Sequence, residues 1–140
     1  MPSRFFTLDE ANRLLPTLRP LLTRLVAQRQ ALRTHQHLLE QFRTRASRDG
    51  GAMPGGDLSR ARQESDRLRA TIQETAEEVQ ALGCLIKDLD VGLVDFPALR
   101  RREQVLLCWR LGEDRIRFWH GLQEGFAGRK PLDEDSPSSG

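Results

Sequence analysis

An α+β fold, a long antiparallel helical hairpin followed by a small antiparallel β-meander packed at its base, is predicted by three observations. Apolar residues recur at three-four spacing through the first half of the chain. A glycine-rich break, 46-ASRDGGAMPGGDLS-59, divides that half into two periodic runs. After Gly83 the helical period gives way to short apolar runs bounded by turn residues. At 140 residues the chain has room for one modest core, so a single domain is expected over 1–130, with 131–140 as a polar, disordered tail.

The first helix is predicted over 7–45. Thr7 stands three residues before Glu10, the spacing of a capping box, and Asp9 and Glu10 lie in the first turn, where the helix dipole favours acids. Phe5 or Phe6 is available to staple the entry. Ala11, Leu14, Leu18, Leu22, Leu25, Leu32 and Leu39 make one stripe, with Arg29 and Gln36 at the intervening positions. Pro16 and Pro20 fall inside the helix and predict a bend. Residues 46–57 form the hairpin tip, and a second helix over 58–82 carries Leu58, Ala61, Ser65, Leu68, Ile72, Thr75, Val79 and Leu82, with Gly83 placed to cap it. Residues 1–56 hold nine arginines and four acids, while residues 57–82 hold four arginines and six acids. That +5 against −2 favours antiparallel pairing of the two helices.

The meander is predicted over 84–120. Cys84-Leu85-Ile86 opens it, Gly92 to Phe96 stops at Pro97, Val105 to Trp109 stops at Gly112, and Ile116 to His120 stops at Gly121. A sheet this small must lay one face on the helices.

Composition narrows the function. With 38% hydrophobic and 30% charged residues, the chain suits amphipathic helices exposed along one side. A net charge of +2 supplies no field that would argue for nucleic acid or membrane. The N-terminus has no basic-then-apolar signal pattern, and no apolar run reaches the length that crosses a bilayer. Cys84 and Cys108 fall in no CxxC framework, which predicts reduced thiols and a cytoplasmic location.

Side chains able to carry chemistry concentrate in the back half. Asp88, Asp90, Asp95, Glu113 and His120 could be brought together by strand ends to hold a divalent metal that activates water or orients a phosphate. No HExxH, CxxC pair or calcium-loop spacing supports that site. The competing reading has Asp88 and Asp90 shaping a turn, Asp95 pairing with an arginine across the sheet, and Glu113 with Asp114 filling a hairpin turn. Alternation places Ile116, Phe118 and His120 on one strand face and Arg117 and Trp119 on the other. Cys108 is a conceivable nucleophile with His120 as its base, weighed against inert packing. Arg100, Arg101 and Arg102 could contact an anion or form a solvated turn. Trp109 and Trp119 could stack on a flat ligand or fill the core. His35 and His37 point apart on a helix and read as surface.

The series FTLDEANRLLP, KDLDVGLVDFPA, LCWRLGED, FWHG and GFAGRKPL, in that order across 5–132, resembles the prokaryotic family called domain of unknown function 2203. The resemblance implies a helical front half and a motif-dense back half, and it carries over no catalytic residue, substrate or cofactor.

Two functional expectations follow. The first is a non-enzymatic interaction or structural module that self-associates, or takes a helical protein partner, through the open side of its hairpin, with a polar pocket in the sheet region. The alternative is a metal-dependent or acid–base enzyme using carboxylates and His120. Asp95 is the residue to follow in either case, because an acid in the middle of an apolar strand requires a partner.

Overall fold

The computed structural model describes residues 4–48, 50 and 55–132. Two helices, α1 (Leu8–Arg48) and α2 (Gly55–Ala81), precede five strands: β1 (Leu85–Asp88), β2 (Leu93–Arg100), β3 (Glu103–Arg110), β4 (Phe118–Gly121) and β5 (Lys130–Pro131). A one-turn 3-10 helix, Phe126–Gly128, leads into β5. The strands lie side by side in chain order and every neighbouring pair is antiparallel. The architecture is the predicted α+β arrangement of helical hairpin and meander.

The capping box at the start of α1 is formed in both directions. The Glu10 amide donates to Thr7 Oγ1 at 3.1 Å, and the Thr7 amide donates to Glu10 Oε1 at 2.9 Å. These bonds hold the Glu10 carboxyl below its usual range. Of the two phenylalanines beside the cap, Phe6 is the buried one, and its ring meets Phe96 edge-on at 5.2 Å. The helix runs through Pro16 and Pro20 without a break. Both prolines sit on its exposed side, where water can satisfy the carbonyls they leave without a donor.

Leu15, Leu18, Leu22 and Leu25 of α1 and Val79 of α2 meet Val94 and Phe96 of β2 and Val105, Leu107 and Trp109 of β3 in one core. The stripe that joins this core ends at Leu25, and Leu32 is the last buried residue of α1. The 41-residue helix is about 60 Å long at 1.5 Å per residue, so its last four turns form an arm beyond the sheet. At the base, Gly83 turns the chain with φ of +101°, and an added Cβ there would lie 2.8 Å from the Phe6 ring. Only glycine meets both conditions.

Several expectations need correction. α1 continues to Arg48 instead of stopping at 45 and α2 begins at Gly55 instead of 58; the rest of the predicted tip, 49 and 51–54, lies outside the described residues. Cys84 precedes β1 and belongs to no strand. β2 passes through Pro97, opposite Leu106, and continues to Arg100. The Pro97 carbonyl accepts from the Phe6 amide at 2.7 Å, on the side away from β3, so the donor that proline lacks is not one the β2–β3 ladder uses. The predicted tail at 131–140 starts too early. Lys130 and Pro131 pair with Trp119 and Phe118, the Leu132 amide donates to the Arg117 carbonyl at 2.7 Å, and 133–140 lie outside the described residues.

Candidate functional site

Asp95 occupies the middle of β2 between Val94 and Phe96, which both face the helices. The period of two therefore turns Asp95 to the opposite face of the sheet. Strand register then selects its neighbours: Asp95 lies across from Cys108 on β3, and Leu106, two residues before Cys108, lies across from His120 on β4. All three side chains are buried on that far face, with exposures of 1%, 0% and 2% for Asp95, Cys108 and His120. One donor atom from each lies within 4.8 Å of the other two.

The imidazole of His120 is oriented at both ends. Nδ1 lies 2.9 Å from the Gly121 carbonyl, which can only accept, so Nδ1 carries a hydrogen. Nε2 lies 3.1 Å from each carboxylate oxygen of Asp95. A neutral imidazole protonated on Nδ1 would present a lone pair to a carboxylate, so the bridge holds one further proton between Nε2 and Asp95. The pair is thus neutral as a unit, which suits its burial.

Arg129, just before β5, lies across the same face. Its guanidinium stacks over Phe118 at 4.0 Å and Phe126 at 4.6 Å, donates to the Glu113 carboxylate at 2.7 and 2.9 Å, and reaches the Cys108 carbonyl at 3.4 Å. Burial pushes the Cys108 thiol up to about 12, the Asp95 carboxylate adds to that rise, and Arg129 opposes it. At neutral pH Cys108 is a protonated thiol. It is no ready nucleophile, because His120 Nε2 already faces Asp95 and Nδ1 is committed to Gly121.

The other sequence candidates go elsewhere. Asp88 accepts from the Asp90 amide at 2.8 Å, which shapes the β1–β2 turn, and Asp90 pairs with Arg29 at 3.3 Å and Arg33 at 2.9 Å on α1. Glu113 accepts from the Arg110 amide at 2.7 Å and pairs with Arg129. Of the five proposed ligands, only Asp95 and His120 meet. The arginine triplet divides as well: Arg100 stacks on Trp119 at 4.7 Å, while Arg101 and Arg102 form the exposed two-residue β2–β3 turn with φ of 53° and 70°. Ile116 lies before β4 in the helix-side core, and Trp119 packs against that core, so His120 does not share a face with Ile116 as alternation suggested. His35 is not simply surface: its Nε2 lies 3.1 Å from the Ala61 carbonyl of α2. Arg129 is the residue that sequence reasoning passed over.

The second thiol allows a pH test. Burial raises Cys84 from an ordinary 9.0 to about 11. Between those values the unfolded chain loses the proton first and binds fewer protons than the native chain, so stability falls as pH rises. Wild type is expected to lose up to about 2 kcal/mol more than Cys84→Ala between pH 8 and 11, as read from urea melts. Parallel curves for the two proteins would refute the assignment.

Fold and site together define a class: an α+β protein whose helical hairpin stands on a five-stranded meander with a buried Asp–Cys–His cluster on the sheet's far face. The chain belongs to the family described as uncharacterized conserved protein (DUF2203), whose model matches residues 4–132. Comparison with curated proteins and with solved structures finds no match. Among the described residues, no helix is long and apolar enough to cross a membrane.

Proposed function

We propose that the protein is a cytosolic interaction module that self-associates through the arm of its helical hairpin, the partner being a second copy of the chain. The observation that carries this reading is the pair Leu38 and Phe42, 59% and 48% exposed and one turn apart on the stretch of α1 beyond its last buried residue. Exposed apolar side chains at this spacing suit a helix packed against another helix. Charge supports a second copy as the occupant. α1 carries eight arginines and three acids, whereas α2 carries four arginines and six acids. Among the described residues the one ion pair between these helices is Arg24–Glu78 at 3.8 Å, which leaves acids such as Glu74 and Glu77 of α2 for the arginines of a neighbouring α1. The free thiols of Cys84 and Cys108 suit a reducing compartment.

The acid–base enzyme reading draws less support. The polar side chains that converge are closed from solvent, which leaves a substrate no route to them.

Light scattering across a dilution series tests the proposal. Wild type is expected to be a dimer, and the double variant Leu38→Lys, Phe42→Lys to dissociate at least about 100-fold more readily, since each half-exposed side chain contributes about 1 kcal/mol or more on burial in each copy. The variant's circular dichroism spectrum should be unchanged, because neither side chain belongs to the core. A wild-type monomer at all concentrations would overturn the reading.

A further inference from the structure

We propose that Asp95, Cys108 and His120 form a closed site for a zinc ion, clasping β2, β3 and β4 on the face turned away from the helices. The inference is independent of self-association. Each of three adjacent strands contributes one ligand, and the three donor atoms already lie within 4.8 Å of one another. In a tetrahedral zinc site, bonds of about 2.0–2.3 Å put ligand atoms roughly 3.3–3.8 Å apart. Nε2 of His120 is 3.1 Å from Asp95, close to that spacing.

The ligand chemistry selects the metal. A thiol sulfur, an imidazole and a carboxylate suit a borderline ion, whereas calcium and magnesium require shells of oxygen. His120 is posed as a metal ligand usually is: its remote nitrogen donates to a backbone carbonyl, which fixes the ring with Nε2 toward Asp95. Charge also balances. A zinc ion entering the site displaces the thiol proton and the proton shared by Asp95 and His120, so two positive charges leave as two arrive. The guanidinium of Arg129 does not repel the ion, because Glu113 neutralises it at 2.7 Å. Three protein ligands leave the fourth position to a water, and the burial of all three side chains closes that position to a substrate.

The test uses the full chain, stripped with a chelator and titrated with Co2+. One equivalent is expected to produce tetrahedral d–d bands and a thiolate-to-cobalt charge-transfer band, both abolished by Zn2+. Zn2+ should also raise the melting temperature of wild type. Cys108→Ser should lose the charge-transfer band and His120→Gln should weaken Co2+ binding by about 100-fold or more, with folding checked by circular dichroism. If either variant fails to fold, X-ray absorption of zinc-loaded wild type decides, with one sulfur in the shell expected. A folded wild-type chain that gives no thiolate–cobalt band, a band that survives Cys108→Ser, or a zinc shell without sulfur would overturn the proposal.

Discussion

Asp95→Ala is expected to destabilise the metal-free protein by about 3–5 kcal/mol, a large share of the roughly 5–15 kcal/mol that holds a domain of this size together. The carboxylate is buried on a strand flanked by two others, and its oxygens lie 3.1 Å from His120 Nε2. Removing it leaves a buried imidazole with Nδ1 bonded to Gly121 and Nε2 without a partner, together with a cavity where the side chain stood. Urea denaturation in the presence of a chelator measures the loss without any metal contribution. The double variant Asp95→Leu, His120→Leu should recover much of it, because replacing a buried polar pair with apolar side chains of similar size is often close to neutral. An Asp95→Ala protein that melts like wild type would mean that the pair contributes no net stability.

How much of this was legible in the sequence depended on whether local rules alone decide a feature. The capping box at Thr7 and Glu10 is such a feature, and so is the face on which Asp95 lies, because an uninterrupted strand alternates strictly from Val94 to Phe96. The partner of Asp95 was not legible, because Cys108 comes opposite only once the β2–β3 register is set. That register is set by a tight turn of two arginines in left-handed conformations, where glycine or asparagine is the usual signal. His120 was assigned to the wrong face for a related reason. The irregular stretch between β3 and β4 resets the period, so counting back to Ile116 gives the wrong phase. Arg129 comes from a loop, and its reach across the sheet follows from β5 pairing with β4, a two-residue strand too short to carry a pattern.

The face toward the helices yields an effect of similar size. Trp109→Ala is expected to cost about 3–5 kcal/mol, the range for emptying a large aromatic site in a core. Trp109 is fully buried, neighbours Cys108 on β3 and points to the opposite side of the sheet. Its indole N–H donates to the Glu113 carbonyl at 3.1 Å, and the guanidinium of Arg19 from α1 lies 5.7 Å from the ring while donating to the Asp114 carbonyl. The side chain therefore fills the space between sheet and helix and also tethers the connection that carries Glu113 toward Arg129. Trp109→Phe separates the two contributions. It keeps most of the apolar contact and removes the donor, so a loss of about 1–2 kcal/mol is expected, as for an unmade hydrogen bond beside a smaller void. Urea melts followed by circular dichroism measure both variants without relying on the fluorescence that the substitutions remove. Equal losses for alanine and phenylalanine would assign the stability to the Glu113 tether, and a negligible loss for both would remove Trp109 from the core.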